Sequence, residues 1–323
     1  MNIRSATRQN NTVGILSAMA ASFFFSINDM AIKLLSGDYA LHQVVLIRTV
    51  IGMTLLLALI VPFQGGFAAL KTRRLLIHLL RGFCVVVANM TFFLGLAVLP
   101  LAQAVAIFFI APLVITIFSV LFLGEKVGRL RWLAVGFGLA GVVVILRPGT
   151  GSFQIAALLP LAAAIAYATL NILTRKIGGT ERAVTMIFYI QVTFIFVSGA
   201  MGMAMGDGRF GGQADPSLGF LLRQWVRPET GDWPLFLLIG AASTGGGYFI
   251  SQAYKLAEAG LAAPFEYVAM PLSIFWGFMV FGEWPDGPAW AGITLIVGAG
   301  LFVFWREIVL DRRVASRIPQ RLR

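Results

Sequence analysis

Ten long apolar runs divide the chain, and the residue pattern of the first five recurs in the second five. Ala21 to Lys33 (ASFFFSINDMAIK) aligns with Ala164 to Lys176 (AIAYATLNILTRK), setting Asn28 against Asn171 and Lys33 against Lys176. Further on, Leu123-Gly124-Glu125 with Trp132 matches Phe281-Gly282-Glu283 with Trp290, and Pro112 matches Pro271. A unit with an odd number of membrane crossings leaves its second copy entering from the opposite face. Two five-helix copies in one chain are therefore expected to form an inverted repeat, the arrangement that secondary transporters use.

The membrane assignment rests on composition. Of 323 residues, 59% are hydrophobic and only 12% charged, too little polar surface to cover a water-soluble globule of this size. A helix needs roughly 20 mainly apolar residues to cross the hydrocarbon core. Runs of that order lie at 13–34, 43–62, 75–98, 101–123, 130–147, 155–177, 183–205, 234–256, 261–282 and 288–306. A membrane β-barrel would show short segments of alternating polarity instead, and none is present. The expected class is all-α integral membrane, with ten transmembrane helices. The first run is long enough to span and no small-residue cleavage site follows it closely, so it is expected to stay.

A net charge of +11 raises the question of nucleic acid, but the basic residues are scattered between runs and in the tail rather than gathered on a soluble domain. Topology explains them better. With the N-terminus inside, 19 of the 25 Lys and Arg fall on cytoplasmic ends and loops. The repeat supplies a control: the loop after run 4 reads Glu125-Lys126-Val127-Gly128-Arg129-Leu130-Arg131, whereas its counterpart after run 9 reads Glu283-Trp284-Pro285-Asp286-Gly287-Pro288. The glutamate is kept and the positive charges vanish, as loops on opposite faces should differ under the positive-inside rule. Both termini are expected in the cytoplasm.

Three units follow: 13–148, 155–306 and a basic cytoplasmic tail, 307–323. The halves meet at Arg147 to Ser152, where Pro148 and Gly149 end a helix. The 206–233 loop has no counterpart in the first half. Its Pro216 to Pro228 segment would put Leu218, Leu221, Leu222 and Trp225 on one helical face, as an interfacial helix does, with a disordered loop as the alternative.

Chemistry at membrane depth is sparse. Ionisable groups there are costly unless they face a partner or a wet cavity, which singles out Asp29, Arg48 and Glu266. Asp29 and Arg48 reach similar depth on adjacent helices and could form a structural ion pair. Glu266 has no basic residue in its own run and reads as a cation ligand or protonatable coupling group. Asn28 and Asn171 would meet across the pseudo-twofold axis. Asn89, Tyr167, Tyr248, Gln252 and Tyr267 add polar tips; Phe24, Phe92, Phe108 and Trp276 add aromatic walls, each by itself as readily explained by packing. Together they suit a small amphipathic or cationic organic solute. Pro112 and Pro271 inside their runs favour kinks, which either line a cavity or fit neighbouring helices. Glycines at Gly136, Gly138, Gly141, Gly292, Gly298 and Gly300 read as close-packing seams on helices 5 and 10 rather than as a nucleotide loop, since no βαβ unit surrounds them.

Enzyme signals are missing. His42 and His78 are expected on separate loops without a Cys or carboxylate at ligand spacing, and Cys84 is alone. No metal, no cofactor and no nucleotide-driven step is indicated. Solute and lipid are the expected partners; monomer and homodimer stay open.

The paired five-helix units, the Asn-bearing first and sixth runs, Pro112 and Pro271, and the Leu-Gly-Glu125 and Phe-Gly-Glu283 motifs resemble the drug/metabolite transporter superfamily, specifically the EamA family of ten-helix carriers. The likeness covers about 13–306. Ser26 to Lys33, Arg48 and His78-Leu79-Leu80-Arg81-Gly82 are similar to a subgroup that includes bacterial S-adenosylmethionine uptake carriers. The resemblance implies that helices 1, 3, 4, 6, 8 and 9 surround a central cavity, with 5 and 10 peripheral. Members of the family move amino acids, metabolites, cations and drugs in either direction. Read from the polar and aromatic groups at membrane depth, the expected substrate-binding residues are Asn28, Asp29, Asn89, Phe92, Tyr167, Asn171, Tyr248, Gln252, Glu266 and Tyr267. A membrane enzyme or a non-transporting scaffold is the alternative from another class.

Overall fold

The computed structural model describes residues 3–124, 128–148, 155–177, 182–256 and 263–317. Glu125, Lys126, most of the joint between the halves, the connection at 258–260, the last six residues and the side chains of Arg175 and Lys176 lie outside that description. No strand occurs among the described residues. Eight helices are long and apolar enough to cross a membrane, and two shorter apolar stretches, Phe265–Phe281 and Gly287–Val303, follow them.

In chain order the α-helices are α1 (Ile3–Leu35), α2 (Leu41–Leu55), α3 (Leu75–Leu96), α4 (Leu101–Phe108), α5 (Ala111–Leu123), α6 (Arg129–Leu146), α7 (Leu158–Ile177), α8 (Ala183–Met205), α9 (Pro216–Leu222), α10 (Trp233–Leu256), α11 (Ala269–Phe281) and α12 (Gly287–Arg317). A π-helical turn, Leu56–Ile60, extends α2 until Pro62 opens a 3-10 turn. The last helix runs eleven residues past the expected end of its apolar run, carrying the start of the basic tail in helical form.

Proline decides where the apolar runs at 101–123 and 261–282 change character. Pro112 has no N–H for the carbonyl of Phe108, and its ring crowds that same turn. The chain accordingly breaks at Phe109 and Ile110, between α4 and α5. Pro271 has the same relation to Tyr267, and there the crossing is a 3-10 helix over Ala263–Val268 before α11 begins. Both crossings are thus interrupted rather than merely kinked. Each also ends on a glycine in the left-handed region, Gly124 at φ 67° and Gly282 at φ 66°, a conformation that costs other residues a steric clash.

Packing follows a paired scheme. α1 lies along α10 and α3 along α7; α2 contacts α10 as α3 contacts α8; α5 meets α7 as α11 meets α1. α6 and α12 form their own pair to one side. There a Cβ on Gly141 would come within 2.9 Å of the Gly292 carbonyl, so small residues set the approach, while one on Gly138 would come within 2.0 Å of Leu113 Cδ1 on α5. Gly300 serves a different contact, with the Tyr267 hydroxyl 1.8 Å from where its Cβ would be. Gly136 and Gly298 face no neighbour, so the seam uses only part of the glycine pattern.

The 206–233 insertion is neither a long interfacial helix nor a loose loop. Asp215 caps α9 by accepting from the Leu218 N–H at 2.9 Å, but the helix lasts only seven residues. Phe220 and Ser217 are buried, whereas Leu218, from the expected apolar face, is exposed. Trp225 lies beyond the helix and packs on Gly202, whose Cβ would meet its ring at 2.0 Å. Its indole N–H donates to His42 Nδ1 at 2.5 Å, and Gln43 exchanges two hydrogen bonds with the Val226 backbone. The Tyr39 hydroxyl donates to Asp232 and accepts from the Glu229 N–H. Burial and the Asp232 bond push that phenol above its usual range. His42 and His78, expected on loops, are instead fully buried on α2 and α3. Cys84 is half-buried on α3.

Candidate functional site

The polar network begins on α1. Asn28 is buried, donates its amide to Asp29 Oδ1 at 3.1 Å and accepts from Arg48 Nη1 at 3.4 Å. Arg48, on α2, donates through Nη2 to Asn89 Oδ1 of α3 at 2.9 Å. The expected Asp29–Arg48 pair is therefore relayed: the guanidinium bonds two asparagines, and Asn28 passes the contact to the carboxylate. Phe93 and Phe194 lie 5.6 and 5.4 Å from the guanidinium carbon, close enough for cation–π attraction. A guanidinium has five N–H donors, and among the described residues the asparagines take two of Arg48's. The rest can meet a third group.

From Arg48 a continuous line of rings crosses the core. Phe93 touches Phe92 (centroids 5.5 Å apart), Phe92 touches Phe108 (5.3 Å), and Phe108 touches Tyr167 (5.5 Å). Four crossings thus contribute, with Phe108 set at the end of α4 by the break that Pro112 imposes. The Glu266 carboxylate, on the 3-10 segment before α11, lies in electrostatic range of the Tyr167 and Tyr267 hydroxyls. Ser22 of α1 donates to its backbone carbonyl at 3.2 Å, fixing that segment against the first helix.

The expected site residues do not all converge. Asn28, Asp29 and Asn89 are joined through Arg48, and Phe92 and Tyr167 through the line of rings, with the Glu266 carboxylate near the Tyr167 end. Asn171 turns back on its own helix, its amide donating to the Tyr167 carbonyl at 2.8 Å. Tyr248 and Gln252 bond each other at 2.9 Å on α10, and Tyr248 meets Phe249, which stacks on Phe24 of α1. Tyr267 packs at a tilt against Phe109, ring centroids 4.9 Å apart, while its buried hydroxyl points at Gly300 of α12. The phenol therefore faces the peripheral helix pair. Trp276 donates to Ser26 at 3.2 Å, tying α11 to α1.

Sequence reading underweighted Arg48 as a hub and missed Phe93 and Phe194. It also missed a pair: Lys33 and Glu283, both inside the repeated motifs, meet at 2.5 Å. The signal was available, since each residue recurs in the other half as Lys176 and Glu125.

Comparison with known proteins bears on this arrangement. Residues 12–147 match the EamA-like transporter family. A riboflavin transporter of Rhizobium johnstonii is 29% identical over 94% of this chain and 94% of its own length. An S-adenosylmethionine uptake transporter of Rickettsia prowazekii is 27% identical over 95% and 96%, and a pseudopaline exporter of Pseudomonas aeruginosa 27% over 88% and 94%. A solved crystal structure shares the fold, with a TM-score of 0.60 at 19% identity over 97% of this chain and 99% of that one. With its first half similar to that family and nearly its whole length aligned with named small-molecule carriers, the chain reads as an integral-membrane small-molecule transporter rather than an enzyme.

Proposed function

We propose that the chain is a secondary-active, alternating-access carrier of the bacterial inner membrane, built from two inverted five-helix repeats at 13–148 and 155–306, with both termini cytoplasmic. The paired helix contacts, the matched interruptions before Pro112 and Pro271, and the family match over 12–147 support the repeat. The loop-charge contrast supports the orientation. In this reading the halves rock about a midplane site formed by Asn28, Asp29, Arg48, Asn89, Phe92, Tyr167 and Glu266.

One observation carries the choice of solute. A buried guanidinium with donors to spare, a carboxylate relayed through Asn28, and a line of rings leading to a second carboxylate together complement a zwitterionic or cationic metabolite with a planar ring. S-adenosylmethionine has that chemistry: a carboxylate for Arg48, cationic centres for Asp29 and Glu266, and an adenine ring for the aromatic line. The unbroken ring contacts also favour a second reading, riboflavin, whose larger flat ring and neutral polyol need hydrogen bonds more than charge.

Purified protein in liposomes tests both. Labelled S-adenosylmethionine should accumulate saturably and be displaced by the unlabelled compound, with riboflavin displacing it weakly; the reverse ranking selects the flavin. No movement of any solute across a broad metabolite panel would sink the carrier reading.

A further inference from the structure

Gly282 ends α11 in the left-handed conformation, and the Glu283 N–H then folds back to the Gly277 carbonyl at 2.8 Å. That reversal aims the Glu283 side chain at the end of α1. Lys33 Nζ meets Glu283 Oε1 at 2.5 Å, donates to the Leu99 carbonyl at 2.7 Å and lies 4.9 Å from the centre of the Phe281 ring. The other carboxylate oxygen accepts from the N–H of Leu101, the first residue of α4, at 2.9 Å. One ion pair thus ties the end of α1, the α3–α4 turn and the α11–α12 connection. The first two belong to one half of the chain and the third to the other.

The helices joined in this way carry site residues. Lys33 lies one turn beyond Asp29 on α1, about 6 Å along the axis, and α4 ends at Phe108 in the aromatic line. Moving the tied ends apart would open the space above the polar network. The pair suits a reversible contact: its side chains are 10% and 27% exposed, so water can replace each partner at a cost well below that of a deep charge. Arg147 and Asp286 also join the halves, but from peripheral α6.

We propose that the Lys33–Glu283 pair is the outer latch of the carrier, made when the site is shut from the outer face and broken when it opens. The proposal rests on the alternating-access reading above.

The test needs no solute. Cys84, the single cysteine, is replaced by Ser, and Phe108→Cys, in the aromatic line between Phe92 and Tyr167, supplies the reporter. A membrane-impermeant thiol reagent is then applied to right-side-out and to inverted vesicles. Glu283→Gln keeps an acceptor for the Leu101 N–H and removes only the ion pair; Lys33→Gln is the second variant. Each should raise labelling from the outer face about tenfold and lower it from the cytoplasmic face, and exchanging the two charges (Lys33→Glu with Glu283→Lys) should restore the parent pattern. Labelling that is unchanged, or that rises from both faces together as for a loosened structural brace, overturns the latch. A reporter labelled from neither face in parent and variants alike overturns the midplane site itself, and the latch with it.

Discussion

Asn28 and Asn171 occupy matching positions in the two halves, yet their surroundings differ in kind. Asn28 bridges a carboxylate and a guanidinium contributed by two helices, whereas Asn171 bonds the backbone one turn back on its own helix. The neighbouring positions diverge in the same sense. Asp29 corresponds to Ile172, which is buried, and Arg48, at the same spacing of 143 residues, corresponds to Gln191. Glu266 falls where the first half has only the buried Ala106 or Ile107. In the proposed repeat, unequal substitution gives the first half a charged network around Arg48 and the second half the Glu266 carboxylate beside Tyr167 and Tyr267. A small solute is itself asymmetric, so the proposed site would gain specificity by such divergence.

The sharpest way to break this contrast is Arg48→Met. It strips Asn28 and Asn89 of their shared donor and leaves Asp29 without its relayed cation, a loss of a few kcal/mol for a buried charged network. Uptake into liposomes should fall by about a hundredfold or more, and the thermal midpoint in detergent should drop. Uptake within about threefold of the parent would mean that the network is packing alone. Glu266→Gln probes the other half by removing charge while keeping shape. It should weaken binding of S-adenosylmethionine about tenfold and riboflavin little, as measured by displacement of labelled ligand; equal losses for both would deny Glu266 a charge-based role. For Asn171→Ala, the expected change in affinity is within about threefold, since only a local bond to its own helix is lost. A larger effect would restore the asparagines to equivalence.

The smallest effect belongs to the surface bond between the halves. Arg147 donates to Asp286, which also caps α12 by accepting from the Ala289 N–H at 3.0 Å. The Arg147 bond, followed by the cap, holds the Asp286 carboxyl below its usual range, while Arg147 is raised and stays charged throughout. The sign follows: because the folded carboxyl binds protons less readily than the unfolded one, this contact stabilises the fold above about pH 4 and loses that effect as pH falls through the lowered value. The Arg147 and Asp286 side chains are 25% and 50% exposed, so water screens the pair and the contribution is at most about 1 kcal/mol. Thermal midpoints of the parent and Asp286→Asn should therefore differ slightly at neutral pH and converge on acidification. A gap that widens in acid would contradict this.

Much of the architecture was legible in the residues. Apolar runs of spanning length marked the crossings because a chain in hydrocarbon must satisfy its backbone internally, which leaves the helix as the local solution. Prolines told where two crossings would be interrupted, since a missing N–H acts on the turn that contains it. Tyr248, Gln252 and Tyr267 were harder. Their polar tips looked available to a solute, but whether a hydroxyl turns toward a cavity, a neighbour four residues on or a glycine of a distant helix depends on rotation about the helix axis. The insertion shows the same limit: Trp225 was legible as an apolar anchor, but not as a ring seated on Gly202, because that seat is on another crossing.

What the sequence determined by itself is the set of helices, their interruptions and the residue types held at membrane depth, all consequences of composition and of interactions within a few residues. Tertiary structure decided which of those polar groups share one network. Arg48 bonds Asn28 and Asn89, and Lys33 finds Glu283 across 250 positions, because helix packing brings their faces together. Burial then makes each unmet donor or charge costly, and the contacts that form are those that satisfy them.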